Sequence, residues 1–269
     1  YTLYKYDSDD VNEFIFNLSE IDSGSHGTIY NVKEDDTILY KEFKKLKKSS
    51  KPEDYKYIIE LLELTQLKTQ FNNLFCNTTN KTQCKLGYFM KKLSSFKEVH
   101  GKYHDEFKIP IPTFKEFMSP LIKTLQTLIN KDYYSFDIKP DNIAFEYDDE
   151  KKNYIPRFID LDGWWEDKDL TVLNEFLTTQ SRSFTASFLT SSISNQKCHD
   201  IDDITKCAKE CYKNIMINCM LYQIILCFII LINNNLNINY PEFIVNSIKN
   251  PGVTINSSSP MTFIWLYMS

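Results

Sequence analysis

The stretch "YSFDIKPDNIAF", residues 134–145, crowds charged and amide side chains into one turn between apolar flanks. Two aspartates, a lysine, a proline and an asparagine occupy positions 137–142. A solvated surface turn, shaped by its proline, is the ordinary explanation for such a run. An active-site loop is the alternative, because a phosphate and a metal ion both require charges and oxygen ligands at fixed spacing. The remainder of the chain has to decide between the two.

A hairpin pattern follows this loop directly. The runs "NIAFEY" and "YIPRFIDL" flank the polar stretch "DDEKKN", which is typical of two paired strands. Pairing would place Asn142, at the start of the first strand, beside Asp160, near the end of the second. Asp137, Asn142 and Asp160 would then converge, and Mg²⁺ prefers carboxylate and amide oxygens of this kind. The hairpin therefore predicts a metal site next to the loop.

The order of the predicted elements indicates an α+β chain. Residues 1–45 alternate apolar and polar positions in short runs, as antiparallel strands do. Residues 51–73 carry apolar side chains at a helical period and predict one main helix. After a further strand the chain is mainly helical from residue 113 onward, apart from the hairpin. We expect a small β-rich domain over residues 1–93 and a mainly helical, reduced domain over residues 94–269.

Two glycines lie between the first predicted strands, in "IDSGSHGTIYNV". Gly24 and Gly27 would let backbone N–H groups approach a phosphate, because no Cβ stands in the way. A plain hairpin turn is the alternative explanation for such a pair. Together with the metal-type cluster, the glycine turn favours a nucleotide cleft between the two domains.

These features occur in the order found in protein kinases, which the chain resembles over residues 20–165. The sequence "DIKPDN" is similar to the kinase catalytic loop D-x-K-P-x-N. The resemblance implies that Asp137 accepts or orients the proton of the substrate hydroxyl, that Lys139 neutralises the transferred phosphate, and that Asn142 binds Mg²⁺. Lysine followed by proline in this loop resembles the serine/threonine type of kinase.

Two further segments resemble kinase motifs. The sequence "FIDLDG" is similar to the strand that leads into D-F-G, which makes Asp160 the principal metal ligand. The sequence "ILYKEF" is similar to the strand that carries the ATP-binding lysine, which implies that Lys41 pairs with the α- and β-phosphates of ATP. Its glutamate partner on the predicted helix would be Glu60, with Glu63 as the second choice.

The resemblance also implies how ATP is held. Gly24 and Gly27 fit the second and third glycines of the phosphate-covering loop, and Asp22 stands where the first is expected. The strand "GYFMKKL" is placed like the one that enters the kinase hinge, where the backbone of residues 91–93 would hydrogen-bond adenine. The implied ATP-binding residues are Gly24, Gly27, Lys41, Glu60, the gatekeeper Met90, Lys91 and Leu93.

The chain departs from the kinase pattern at several positions. Ser135 and Phe136 replace the usual histidine and arginine, so activation by a phosphorylated activation loop is not expected. Asp162 stands in the place of the D-F-G glycine, as a further metal ligand or as an outward-facing side chain. The polar stretch 178–196 is not closed by an A-P-E sequence.

Composition limits the class of protein and its partners. The chain has 269 residues, of which 42% are hydrophobic and 25% charged, which is typical of a globular protein. A net charge of −5 gives no general attraction to nucleic acid. The apolar segment 215–232 approaches the length of a bilayer span, but Asn218 and Gln223 interrupt it, which favours a buried core helix. The odd count of 7 cysteines, without a C-x-x-C pair, favours a reducing and cytoplasmic compartment.

Three functions remain open from the sequence. The first is an ATP- and Mg²⁺-dependent kinase acting on serine and threonine hydroxyls of proteins, either constitutively active or switched by an activating partner. The second is a pseudokinase scaffold, which the missing His-Arg pair and Asp22 favour and the clustered charges disfavour. The third is a small-molecule or lipid kinase on a related fold. Heavy Asn, Lys and Ile usage, with a reduced helical domain, would suit a virus or an intracellular parasite.

Overall fold

The computed structural model divides the chain into two compact units. The first comprises Tyr1–Ser94 with Arg157–Asp162, and the second comprises Ser95–Pro156 with Gly163–Ser269. The sequence-based division into 1–93 and 94–269 does not anticipate the return of a later segment to the first unit. The structure describes residues 1–6, 13–24, 27–44, 52–80, 84–105, 110–135, 137–167 and 204–233. The polar stretch 178–196 lies outside the described residues.

The first unit is built on one antiparallel sheet of seven strands. Its order is β2-β1-β6-β7-β5-β4-β3, so β5 lies inside the sheet between β7 and β4. The elements are β1 (Thr2–Lys5), β2 (Glu13–Ile15), β3 (Leu18–Ser23), β4 (Gly27–Val32), β5 (Asp35–Phe43), α1 (Tyr57–Leu64), β6 (Leu74–Cys76) and β7 (Leu86–Lys91). The predicted strand-rich start with one helix is present, although α1 is shorter than the helical pattern over 51–73 suggests.

The two faces of this sheet carry different side chains. One face forms an aromatic-rich core whose buried members are Leu3, Phe16, Tyr30, Val32, Ile38, Tyr40, Phe75 and Phe89. Successive residues of a strand point to opposite faces, so Lys41 and Phe43 lie on the other side of β5 from Tyr40. On that side the ring of Phe43 contacts the ring of Tyr55, with centroids 4.9 Å apart. The sheet thus provides a packed, apolar setting for one lysine.

A disulfide joins Cys76, at the end of β6, to Cys84, just before β7. The two strands are antiparallel neighbours, and the Cα atoms of the cysteines are 5.2 Å apart. The prediction that the cysteines stay reduced is therefore wrong for this pair, because pairing depends on strand adjacency that a cysteine count does not show. Disulfides are rare in the cytosol, so this bond counts against the expected cytoplasmic compartment.

Replacing both cysteines, as Cys76→Ser with Cys84→Ser, should lower the free energy of unfolding by about 2 to 3 kcal/mol. The bond closes a short loop, with a sequence separation of 8, and restricts the unfolded chain accordingly. Urea unfolding with and without dithiothreitol would measure the effect. Reductant should destabilise the wild type but leave the double variant unchanged. Equal wild-type stability in both conditions would contradict the prediction.

The second unit combines helices with short strands, which confirms the mixed α+β class. The hairpin predicted after the charged loop is present as two neighbouring strands in a three-stranded sheet of order β11-β10-β8. A two-stranded sheet has the order β12-β9. The elements are β8 (Ser94–Ser95), α2 (Phe96–His104), α3 (Phe114–Ile129), β9 (Tyr133–Tyr134), β10 (Ile143–Asp148), β11 (Asn153–Phe158), β12 (Trp165–Glu166) and α4 (Ile204–Ile232).

The apolar segment near the end of the described chain forms α4 and packs on α3. The ring of Phe228 lies 5.2 Å from that of Phe114 and 5.5 Å from that of Phe117. Gln223, one of the residues that interrupt the apolar run, is itself buried. No helix among the described residues is both long and apolar enough to cross a membrane.

Candidate functional site

Lys41 is the most buried lysine that the structure describes in the first unit, with 5% of its surface exposed. Its position in β5 lies opposite Ile29 of β4 on one side and Tyr88 of β7 on the other. The residue is therefore held from both sides by strand pairing. An ammonium group in such a place requires compensating charge, because an unpaired buried charge is strongly unfavourable.

Two aspartates from a distant part of the chain supply that charge. The Nζ atom of Lys41 donates to Oδ1 of Asp160 at 2.5 Å and also to Oδ1 of Asp162. Asp160 is separated from Lys41 by 119 positions in sequence. The side chain of Asp160 is 28% exposed, whereas that of Asp162 is only 8% exposed. The return of Arg157–Asp162 to the first unit is what brings these charges together.

The backbone around Asp160 explains how both carboxylates reach one lysine. Asp160 follows β11 and has a φ of 60°, in the left-handed region that few non-glycine residues adopt. The chain then forms a 3-10 turn over Leu161–Gly163. Leu161 is fully buried and anchors this turn. Aspartate tolerates the left-handed conformation better than most residues do, and such a conformation is often found at functional sites.

The electrostatics of the group favour a charged lysine. Burial disfavours the ammonium, but attraction by Tyr88, in the ionised form it takes only at high pH, and by the two aspartates outweighs burial, and the pKa of Lys41 is raised. Burial raises the pKa of Asp162, and the attraction of Lys41 offsets only part of this rise. The pKa values of Tyr57 and Tyr88 are raised mainly by burial, so both phenols remain neutral near pH 7. The pocket around Lys41 therefore contains one cation, two carboxylates and two neutral hydroxyl groups.

Gly27, the first residue of β4, lies directly against Lys41. The amide of Gly24 donates to the carbonyl oxygen of Gly27 at 3.0 Å, between β3 and β4. A Cβ at Gly27 would lie 2.8 Å from the carbonyl oxygen of Glu42 and 3.1 Å from Cε of Lys41. A Cβ at Gly24 would meet only the oxygen of Gly27, at 4.0 Å. Gly27 is thus required for space next to the lysine, and Gly24 is not.

Gly27→Ala should lower the free energy of unfolding by about 1 to 3 kcal/mol, because the new methyl group collides with a fixed backbone oxygen and displaces Lys41. Gly24→Ala is the matched control and should stay within about 0.5 kcal/mol of the wild type. Chemical denaturation of both variants measures the difference. Equal stabilities for the two variants would show that the close approach at Gly27 is unimportant.

The other predicted ATP-binding residues lie in the same unit. Met90 is buried in β7, opposite Leu39. The amides of Lys91 and Lys92 donate to the carbonyl oxygens of Leu67 and Thr37. Two of the three amides predicted to contact adenine are therefore already engaged, and the adenine contact of residues 91–93 stays a prediction.

Glu60 is half-buried on α1, and its predicted pairing with Lys41 stays a prediction. The second choice, Glu63, has a side chain that is 66% exposed and pairs with Lys68 at 3.4 Å. The ion pairs found for Lys41 are those with Asp160 and Asp162. A sequence can place a glutamate on the right helix, but it cannot show which carboxylate reaches the lysine.

The charged loop in the second unit forms an ordered cluster around Asp137. Lys139 Nζ donates to Oδ2 of Asp137 at 2.8 Å, and Asn142 Nδ2 donates to the same oxygen at 3.0 Å. Asn142 Nδ2 also donates to the main-chain oxygen of Asp137 at 2.7 Å. Asp137 in turn donates its amide to the hydroxyl of Ser135 at 3.2 Å. The amide nitrogen of Asn142 is thus directed at Asp137, and its side-chain oxygen is the atom suited to a metal.

Apolar anchors hold this loop so that its charges face outward. Ile138 and Ile143 are buried, while the side chains of Asp137 and Lys139 are 54% and 47% exposed. Lys139 has an extended backbone, as expected before proline, and a 3-10 turn over Pro140–Asn142 follows. The loop therefore presents an accessible carboxylate and an accessible ammonium on a fixed backbone.

The predicted site residues thus form two groups. Lys41 and Asp160 meet in the first unit, with Gly27 against the lysine. Asp137, Lys139 and Asn142 meet in the second unit. The predicted convergence of Asn142 with Asp160 stays a prediction. Among the described residues, no three His, Cys, Asp or Glu side chains form a self-sufficient metal site.

Sequence reasoning missed two features of the lysine pocket. Asp162 is directed inward onto Lys41, although the sequence left its direction open. Tyr88 lies opposite Lys41 on β7, and its fully buried hydroxyl has no hydrogen-bond partner within the described part of the chain. The buried run "LGYFM" reads as strand alone, so nothing in it marks the tyrosine.

Comparisons with models of protein families and with curated protein sequences give no match to this chain.

Proposed function

We propose that this chain is an ATP- and Mg²⁺-dependent protein kinase that transfers phosphate to serine and threonine hydroxyls. It would have a protein kinase-like fold, with the β-rich lobe binding the nucleotide and the helical lobe carrying the catalytic loop. The observation that supports this most is the ion pair of Lys41 with Asp160. A structural ion pair alone would need neither the glycine turn beside it nor the left-handed backbone at Asp160.

The residues around Lys41 have the charges needed to bind a nucleoside triphosphate. Lys41 is the cation for the α- and β-phosphates, and Gly27 leaves space beside it where no Cβ stands in the way. Asp160 is partly exposed and offers a carboxylate oxygen to a metal ion. A carboxylate of this kind suits Mg²⁺, which takes its remaining ligands from phosphate and water. When bound, Mg²⁺ would neutralise charge that develops on the transferred phosphate.

The charged loop of the second unit has the side chains needed to bind and orient the hydroxyl that receives the phosphate. Asp137 presents an exposed carboxylate that can accept a hydrogen bond from that hydroxyl. Lys139, held by Asp137, brings a positive charge to the transferred phosphate. Asn142 fixes the orientation of Asp137 through two hydrogen bonds. Phosphoryl transfer requires mainly alignment and charge compensation, and these residues supply both.

Asp137→Ala and Asp160→Asn should each reduce phosphate transfer by about 100-fold or more, because each removes a carboxylate that acts in the transition state. Transfer from Mg·ATP to the protein itself and to a generic serine/threonine substrate would be measured by mass spectrometry. Asp149→Asn, in the exposed turn between β10 and β11, is the matched control and should retain wild-type transfer.

Three outcomes decide between the functions. Transfer by the wild type and the control alone would support the kinase and its residues. Transfer that persists in either site variant would contradict the residue assignment. ATP that stabilises the wild type without any transfer to protein would favour a pseudokinase or a kinase of small molecules.

A further inference from the structure

The two carboxylates that contact Lys41 are not equivalent. The side chain of Asp162 is 8% exposed, and that of Asp160 is 28% exposed. A ligand arriving from solvent can therefore reach Asp160 more easily than Asp162. The enclosed carboxylate has Lys41 as its partner, whereas the open one can be shared between the lysine and a ligand.

Lys41 needs one carboxylate that stays with it. The other side chains close to its ammonium include Tyr57 and Tyr88, which are neutral and cannot balance a charge. If Asp160 turns its oxygens toward a metal ion, its attraction for Lys41 is divided. Without Asp162 the ammonium would then be buried beside a carboxylate engaged elsewhere, which is costly.

The backbone places Asp162 for this task. Asp162 lies two residues after Asp160. Between them the backbone passes from the left-handed conformation of Asp160 into a 3-10 turn, and buried Leu161 anchors that turn. Both carboxylates thus arrive from the same segment, Arg157–Asp162. The lysine would be positioned from the segment that carries Asp160 and not from helix α1.

We propose that Asp162 is a positioning residue that holds the Lys41 ammonium ready for nucleotide phosphates while Asp160 remains available to the metal. This rests on the proposed function, since it assumes that Lys41 binds phosphate. It assigns to Asp162 the task that the resemblance gives to Glu60.

Nucleotide binding in the absence of metal distinguishes the roles of the two aspartates. The affinity for ADP, in buffer with EDTA, would be measured by isothermal titration calorimetry for the wild type, Asp162→Asn and Asp160→Asn, with Asp149→Asn as control. Asp162→Asn should weaken binding on the order of tenfold, the equivalent of one charge-assisted hydrogen bond, because even without metal the more exposed Asp160 alone holds the ammonium less firmly than the two carboxylates together. Asp160→Asn should bind as tightly as the wild type or more tightly, because it removes a negative charge beside the phosphates. Asp162→Glu should recover part of the affinity.

The Mg²⁺ dependence of ADP binding gives a second readout. Asp160→Asn should raise the Mg²⁺ concentration at which the Mg²⁺-dependent gain in ADP affinity is half complete. Asp162→Asn should leave that concentration unchanged. Wild-type affinity of Asp162→Asn without metal would overturn the proposal. An Mg²⁺ requirement raised equally in both variants would also overturn it and identify Asp162 as a metal ligand.

A double-variant cycle guards against misfolding of the single variant. In a Lys41→Met background the buried charge is absent, so Asp162→Asn should fold and should cause no further loss of ADP affinity. A further loss there would show that Asp162 acts independently of Lys41. Failure of the wild type itself to bind ADP would overturn both this inference and the proposed function, whereas wild-type binding with an unaffected Asp162→Asn would overturn this inference alone.

Discussion

A buried ammonium between two carboxylates is the interaction on which the first unit depends. Lys41 lies inside the sheet, on a strand that is paired on both sides, and cannot leave without disrupting that pairing. Its charge is compensated by residues that follow the hairpin more than a hundred positions later. The interaction thus connects the centre of the sheet to the segment Arg157–Asp162, which belongs to the same unit.

The chemistry of the candidate site could be predicted from the sequence because its residue types are few and specific. A lysine in a strand, an aspartate after a hairpin and a charged loop before it were all recognisable, and the structure brings Lys41 and Asp160 together. The direction of Asp162 could not be predicted. Strand periodicity ends at Phe158, and the left-handed residue that follows sets a new direction for the chain.

The cysteines show a different limit of sequence reasoning. Their odd number, without a C-x-x-C pair, favours a reducing compartment, but Cys76 and Cys84 are neighbours across the ends of β6 and β7. Disulfide pairing depends on a distance between strands and not on a count. The α+β class was predictable because it depends on local periodicity, which the strands of the first unit and the helices of the second follow.

The left-handed backbone at Asp160 affects how any substitution there is interpreted. Aspartate and asparagine adopt this conformation more easily than other residues that carry a Cβ, and alanine would add about 1 kcal/mol of strain. An alanine variant would therefore change the path of the chain toward Asp162 together with the charge, and a β-branched residue would do so more strongly. Asparagine keeps the shape and removes only the charge. At this position the side chain therefore affects the geometry of the chain as well as its chemistry. If the protein kept its stability with asparagine but lost it with alanine, the loss would report on the left-handed turn and not on the carboxylate.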